Sequence, residues 1–142
     1  MSATREPPLS PAGLERALHE VAPGVVSAYV FGSFAEGRSH RDSDVDVGIL
    51  LARERCTPRE RFEVRVRLSG QLAGKVQRDV DVVVLNDAAP QLARRIVTTG
   101  RRIFCTDPEA DHAFVRDIQL RAADIEPFLR RTRRIKLAAI AR

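Results

Sequence analysis

Two aspartates alternate with valines in the run Asp44-Val45-Asp46-Val47 of this 142-residue chain. Aspartate is disfavoured in strands, so an alternating pair needs a reason. Side chains two residues apart on a strand point to the same face. The spacing therefore predicts that Asp44 and Asp46 lie side by side, roughly 6.6 Å apart at their Cα atoms, while the valines face the core. Because neighbouring carboxylates repel each other unless a cation lies between them, the pair indicates a site for a hard divalent cation such as Mg²⁺.

A glycine–serine pair, Gly32-Ser33, ends the apolar run that precedes the aspartates. A strand that stops at glycine and turns toward a helix start exposes backbone N–H groups that can bind phosphate. Gly32 has no Cβ to keep a phosphate away from the backbone, and Ser33 can add a hydroxyl donor. A phosphate cradle beside paired carboxylates is typical of metal-assisted phosphoryl or nucleotidyl transfer, in which two ions about 3.5–4 Å apart hold the attacking and leaving oxygens.

A third carboxylate is expected from a later apolar run, where Asp79 and Asp81 again occupy alternate positions. Asp79 is explained as a solvated strand end, whereas the more interior Asp81 is harder to explain without a function. Asp42 has the parity of the first pair but is better explained by turn chemistry. We therefore predict that Asp44, Asp46 and Asp81 form the metal site.

These residues resemble a known family. Gly32-Ser33, followed after ten residues by Asp44-Val45-Asp46, is similar to the glycine–serine and paired-aspartate signature of the DNA polymerase β-like nucleotidyltransferases. The short chain is similar to their minimal branch and, within it, to the MntA-type adenylyltransferase antitoxins that act on HEPN-domain toxins. In this resemblance Asp81 matches the family's third metal-site aspartate. Its expected roles are to bind the catalytic ion and to accept the proton of the attacking hydroxyl.

The resemblance implies a Mg²⁺-dependent enzyme, with two ions, that moves AMP from ATP to a tyrosine hydroxyl of a HEPN-domain toxin encoded beside it. Gly32 and Ser33 are expected to bind the triphosphate; Ser43 either touches the nucleotide or caps the turn. Two other functions stay open: an antitoxin that blocks its toxin by stoichiometric binding, and a nucleotidyltransferase with a small-molecule acceptor. The latter is disfavoured because the chain has no second substrate domain. Three basic residues between the two motifs are further candidates for the triphosphate: Arg38, His40 and Arg41.

Helical and strand patterns alternate along the chain, which predicts an α/β (α+β) domain. The resemblance implies a small mixed sheet with helices mainly on one face and a C-terminal helical extension. The predicted organisation is a loose arm over 1–9, a minimal nucleotidyltransferase domain over 10–107 and the helical extension over 108–142. The run from Arg78 to Leu85 is almost continuously apolar, which favours a central strand.

Several residues predict where the helices begin and end. Thr57-Pro58-Arg59-Glu60 is a capping box, and the arginines that follow it are expected to form a solvated helix face. Asn86 or Asp87 is expected to cap the next helix. Pro127 should kink or split the last one, because it cannot donate the i→i−4 hydrogen bond.

The net charge of +5 comes from the C-terminal end, since no acidic residue follows Glu126 and six basic residues lie in 130–142. Removing those six positive charges from +5 leaves −1 for residues 1–129, which argues against a nucleic-acid-binding surface over the whole domain. Two widely spaced cysteines and the lack of a long apolar run predict a cytoplasmic protein that is not in a membrane. The basic end is either a solvated helix face or a surface that docks an acidic or amphipathic partner.

Overall fold

Four strands and four helices make up the computed structural model, which describes residues 11–21, 24–32, 44–52 and 57–140. Their order confirms the α+β class predicted from the sequence. In chain order the elements are α1 (Pro11–Val21), β1 (Val25–Phe31), β2 (Val45–Leu51), α2 (Pro58–Val76), β3 (Val80–Val84), α3 (Pro90–Thr99), β4 (Arg101–Cys105) and α4 (Pro108–Ile140). No helix within the described ranges is long and apolar enough to cross a membrane.

The four strands form one mixed sheet in the order β3-β2-β1-β4. Strand β1 pairs antiparallel with both β2 and β4, whereas β2 and β3 run parallel. The register is important for the site, because Phe31 on β1 faces Asp46 on β2, and Asp46 in turn faces Asp81 on β3. The sheet therefore places these three residues in one row across three neighbouring strands.

Helices cover both faces of the sheet, two on each, so the expectation of helices mainly on one face is corrected. One core cluster joins α1 and α2 to alternate residues of β2, such as Val45, Val47 and Ile49. A second cluster on the other side joins Leu50 to α3 and α4 through Ile96 and Ile118. Both clusters are possible because apolar side chains leave the inner strands toward both faces.

Strand β3 lies at the edge of the sheet, so the prediction that it is central is wrong. The strand is almost continuously apolar because both of its faces are covered: Val82 belongs to one core cluster and Val83 packs against the other. Two side chains of α2 satisfy carbonyl groups along the open edge: Ser69 Oγ donates to Val80 O, and Arg65 Nε donates to Val82 O at 2.8 Å. Covering an edge in this way removes unpaired backbone groups that would otherwise accept a foreign strand.

The capping box at the start of α2 is confirmed, with Thr57 Oγ1 accepting from Glu60 N at 3.2 Å and Glu60 Oε2 from Thr57 N at 3.1 Å. The predicted cap of α3 is wrong, because that helix begins at Pro90 after Ala89, which makes no side-chain cap. Asn86 instead bonds the end of β2, accepting from Leu51 N at 2.9 Å and donating to Leu51 O at 3.0 Å. Its amide replaces two ladder hydrogen bonds where the strand ends.

Helix α4 runs without interruption through Pro127, so the proline does not split it. Because Pro127 has no N–H, the carbonyl of Ala123 lacks its intrahelical donor. Both residues are exposed, so water can donate to that carbonyl oxygen. The predicted arm over 1–9 lies outside the described residues. The boundary predicted between the domain and its extension at 107/108 coincides with the start of α4 but stays a prediction.

A buried carboxylate attaches α4 to the sheet. Asp111, in the first turn of α4, is only 1% exposed. It accepts hydrogen bonds from Ser27 Oγ and Tyr29 OH, both at 2.6 Å, and from Arg102 Nη1 at 2.9 Å. Burial opposes ionisation of Asp111, but the three donors outweigh it and lower its pKa. Burial and the neighbouring Asp111 together raise the pKa of the Tyr29 hydroxyl.

Candidate active site

The candidate site lies at the end of the sheet where β1 finishes and the parallel strands β2 and β3 begin. Asp46 is the second residue of β2 and Asp81 the second of β3, and the two face each other in the parallel register. Neighbouring strands are about 4.8 Å apart, so the two backbones bring their carboxylates into one small region. Asp44 precedes β2 and is exposed, like Asp81, whereas Asp46 is half-buried.

Gly32 immediately follows β1 and lies against the Asp46 side chain. Its φ of +75° is a left-handed conformation that favours glycine. A Cβ at this position would stand 2.6 Å from Asp46 Oδ2, closer than the two atoms can approach. Glycine is therefore favoured here by two causes, the backbone conformation and the space occupied by the carboxylate, while the predicted phosphate contact of Gly32 stays a prediction.

The electrostatics of Asp46 are those of a crowded carboxylate. Burial, followed by the charges of Asp81 and then Asp44, raises the pKa of Asp46 above its usual range. A raised pKa means that the ionised form of Asp46 is disfavoured in the folded protein, by partial loss of solvent and by the like charges of its neighbours. The three predicted carboxylates thus act on one another through their charges.

Within the described residues, no three His, Cys, Asp or Glu side chains are gathered closely enough to hold a metal ion as they stand. The donor set nevertheless fits Mg²⁺, which prefers carboxylate oxygens and keeps several waters, so that it needs only one or two protein carboxylates. The charge crowding around Asp46 is the condition that a divalent cation relieves. Because Asp44 and Asp81 are exposed, rotation of their side chains meets little packing.

Arg65 is a residue of the site that the sequence did not single out. It was grouped with Arg61 and Arg67 as a solvated helix face, yet its guanidinium crosses the edge of β3. Its Nη2 lies 4.0 Å from Asp81 Oδ1, and its Nε bonds Val82 O. No local pattern in the sequence distinguishes it from the other arginines of α2, because its role depends on β3 lying at the sheet edge.

Arg61 is also not a solvated residue, since its Nε donates to both carboxylate oxygens of Asp87 at 2.9 and 3.0 Å. Asp79, the rejected alternative for the third carboxylate, is exposed and stands just before β3, where its backbone carbonyl accepts from Val45 N at 2.9 Å. The remaining candidates of the connection lie outside the described residues: Ser33, Arg38, His40, Arg41, Asp42 and Ser43.

Comparison with known proteins matches residues 16–109 to the family model described as polymerase beta, nucleotidyltransferase. The protein adenylyltransferase MntA of Shewanella oneidensis is 31% identical over 103 residues, which are 72% of this chain and 70% of that protein. A crystal structure of a toxin–antitoxin with AMP-PNP is 26% identical, with a TM-score of 0.68 over 94% of this chain and 100% of the other.

A tri-AMPylated Shewanella oneidensis HEPN toxin in complex with MNT antitoxin is also similar, at 22% identity and a TM-score of 0.62 over 94% of this chain and 100% of the matched chain. At that identity the likeness supports the fold alone. The family match spans Gly32 as well as the row of Phe31, Asp46 and Asp81.

Proposed function

Because the chain belongs to the polymerase beta nucleotidyltransferase family, and within it to the MntA-type adenylyltransferases, we propose that it transfers AMP from ATP to a protein hydroxyl. The acceptor in this proposal is a tyrosine of a HEPN-domain toxin encoded next to the chain, and the transfer silences that toxin. The chain is thus an enzyme of the nucleotidyltransferase class that acts as an antitoxin. The likeness to a toxin–antitoxin structure with AMP-PNP supports ATP as the substrate and a toxin as the partner.

The observation that carries the proposal is the row formed by the end of β1, Asp46 and Asp81. Gly32 leaves free of a Cβ the space that the Asp46 carboxylate occupies, and it follows Phe31, which faces Asp46 across the sheet. A triphosphate bound at this turn would bring its phosphorus atoms next to the aspartates. In this arrangement Gly32 and Ser33 bind phosphate, while Ser43 contacts the nucleotide.

In the transfer, the acceptor oxygen attacks the α-phosphorus of ATP, and a new P–O bond forms as the bond to the pyrophosphate breaks. Pyrophosphate leaves, and the hydroxyl proton passes to a base, for which Asp81 is the proposed group. Asp81 is exposed, as a residue that meets an incoming protein hydroxyl must be. Arg65, 4.0 Å away, orients that carboxylate from the edge of the sheet.

Mg²⁺ is the proposed cofactor, held by Asp44, Asp46 and Asp81. Two such ions would neutralise the phosphates and polarise the reacting oxygens. The protein's own part is to place Asp46 beside Gly32 and opposite Asp81 in the β2–β3 register, so that the cation would meet a carboxylate on a strand of the sheet.

The test is transfer of labelled AMP from ATP, with Mg²⁺, to the purified HEPN-domain protein encoded beside the chain. We expect label on that protein with the unmodified chain, and loss of label with Asp44→Asn and Asp46→Asn combined. Asp79→Asn is the matched control, because this exposed carboxylate stands two residues from Asp81 and its backbone carbonyl, not its side chain, makes the bond to β2. A folded chain that leaves the HEPN-domain protein unlabelled would refute the proposal.

The same variants separate the proposed transfer from neutralisation by binding alone. If the double asparagine variant still protected cells at an equal molar ratio to the toxin, stoichiometric binding would be the mechanism. Label on a nucleoside or other small molecule, with none on the protein, would instead indicate a small-molecule acceptor.

A further inference from the structure

The outer part of α4, residues 127–140, carries large apolar side chains that remain exposed. Phe128, Ile135, Leu137 and Ile140 are 59 to 79% exposed. At a rise of 1.5 Å per residue these 14 residues extend about 21 Å. The inner part of the same helix, in contrast, packs against α3 and β1. An exposed apolar surface of this kind on one helix needs an explanation.

The exposed side chains continue the face by which α4 packs on its own domain. At 100° per residue, Ile118, Ala122, Leu129 and Ile140 lie on one side of the helix, within about 40° of each other. Exposure along this side rises from 3% at Ile118 to 39% at Leu129 and 79% at Ile140. Phe128 and Ile135 lie about 80° and 100° from Ile118 around the helix, on one flank of this side. We refer to Phe128, Leu129, Ile135 and Ile140 as the outer stripe.

By the same helical geometry Arg131 and Arg133 border the outer stripe on its two sides, and Lys136 lies within it. Arg130 pairs with Glu126 at 2.9 Å, and no acidic residue follows Glu126 in the sequence. Within the described part of the chain, Arg131, Arg133, Arg134 and Lys136 form no ion pair, although all four are exposed. The outer stripe therefore lies between uncompensated positive charges.

From these features we infer that the outer stripe is the docking surface for the protein acceptor of the transfer, an inference that rests on the proposed function. The matching surface is an apolar groove between helices with acidic side chains along its rims. An amphipathic helix in such a groove buries its apolar side chains, while the charges at the rim set orientation and register. The rest of α4 connects this surface rigidly to the domain that carries the carboxylates.

Two other occupants fit less well. A second copy of the chain would bring arginine beside arginine when the two stripes paired, which like-charge repulsion disfavours. A nucleic acid would be bound by the basic residues alone through its phosphates, and would leave the apolar stripe exposed. An acidic, apolar protein groove satisfies both parts of the surface.

The test compares two full-length variants. In the first, Phe128→Gln and Ile135→Gln are combined, which removes two large exposed side chains on one flank of the stripe while keeping a good helix former. In the matched control, Leu120→Gln changes an equally exposed leucine of α4, 68% exposed, outside the stripe. Binding to the HEPN-domain protein encoded beside the chain is measured by calorimetry without ATP, and the KM for that protein is measured in the transfer assay.

We expect the double variant to weaken binding about 100-fold or more, as loss of two large apolar anchors does, and to raise KM for the acceptor with kcat little changed. Leu120→Gln should match the unmodified chain in both. Unchanged affinity and KM in the double variant would overturn the docking surface while leaving the transfer intact. Binding that needs the stripe, in a chain that labels nothing, would support the surface and refute the proposed function.

A second measurement does not depend on variants. Hydrogen exchange of residues 128–140 in the unmodified chain should slow when the HEPN-domain protein is added, and 0.5 M salt should weaken the complex because the rim is charged. Exchange in this segment that stays fast in the complex would overturn the inference. Two other results would also overturn it. One is exchange in this segment that slows when the chain alone is concentrated, and the other is exchange that slows when RNA alone is added.

Discussion

Replacing Gly32 with alanine should stop the reaction while costing little stability, and Gly24 provides a control of the same kind at the other end of β1. Both glycines have positive φ, +75° at Gly32 and +87° at Gly24. An alanine in this conformation costs about 1–2 kcal/mol. The two positions differ in what the new Cβ meets, since nothing lies within 4 Å at Gly24 and Asp46 Oδ2 lies at 2.6 Å at Gly32.

The expected change in melting temperature follows from the size of the chain. At about 2.1 cal/mol/K per residue, the unfolding entropy of 142 residues is about 0.3 kcal/mol/K. A loss of 1–2 kcal/mol then lowers the melting temperature by about 3–7 °C in either variant. The collision at Gly32 adds little to the loss of stability, because the atom in the way, Asp46 Oδ2, is the end of a side chain that can rotate. That rotation, however, moves the Asp46 carboxylate away from its place in the site.

Thermal melts and the AMP-transfer assay on both variants test this reasoning. Gly24→Ala should retain nearly full transfer, whereas Gly32→Ala should lose at least about 100-fold, the scale of removing one preorganised polar group from a site. Equal activity in the two variants would show that the position of Asp46 against Gly32 does not matter. A drop far beyond 7 °C for Gly32→Ala alone would show that the carboxylate cannot move aside.

Three further outcomes are expected. Asp46→Asn should raise the melting temperature of the metal-free protein, because it removes the carboxylate whose pKa is raised by burial and by its neighbours, and should lower transfer by about 100-fold or more. Asp111→Asn should cost about 1–3 kcal/mol at neutral pH, since the buried hydroxyls of Ser27 and Tyr29 lose their charged acceptor, whereas Arg102 is partly exposed to water. The pKa of Asp111 is lowered in the fold. Ionised Asp111 therefore stabilises the folded protein above its unfolded pKa of about 3.9, and this stabilisation is lost as the pH falls through the folded pKa. When unfolding is followed by circular dichroism at decreasing pH, the variant should lose stability less steeply than the unmodified chain. Arg65→Gln should cost less than about 1 kcal/mol, as a half-exposed ion pair does, yet slow transfer by misorienting Asp81, with kcat reduced more than the KM for ATP.

The sequence predicted those parts of the fold that depend on local chemistry. The capping box at Thr57 and Glu60 satisfies backbone groups within one turn, so its residues suffice to identify the start of α2. The alternation of Asp44 and Asp46 with apolar residues likewise predicted β2, and Asp81 was chosen over Asp79 by its place inside a strand. The row of Asp46 and Asp81 depends on strand order, which the sequence analysis did not predict, since it placed β3 at the centre of the sheet.

What the sequence did not predict depends on contacts between distant segments. The residues next to Asp111 in the sequence indicate only an acidic residue in the first turn of a helix. Its partners Ser27 and Tyr29 lie 84 and 82 residues earlier. The available signal was two polar side chains at alternate positions of an otherwise apolar strand, which indicates a buried polar partner somewhere in the fold. Arg65 gave no such signal, because its contact exists only where β3 has an open edge.

Because α4 continues through Pro127 without interruption, the direction of each outer side chain about the helix axis is fixed relative to the domain. Asp111 fixes one end of α4 against two strands, and every residue beyond it is set by counting 100° and 1.5 Å per position. Inserting one residue near Ala123 would keep all side chains yet turn those from Phe128 onward by 100° about the helix axis. Inserting four would return them to within about 40° of their original direction, displaced by about 6 Å. Sequence length between Asp111 and Phe128 is therefore itself constrained, independently of which residues fill it.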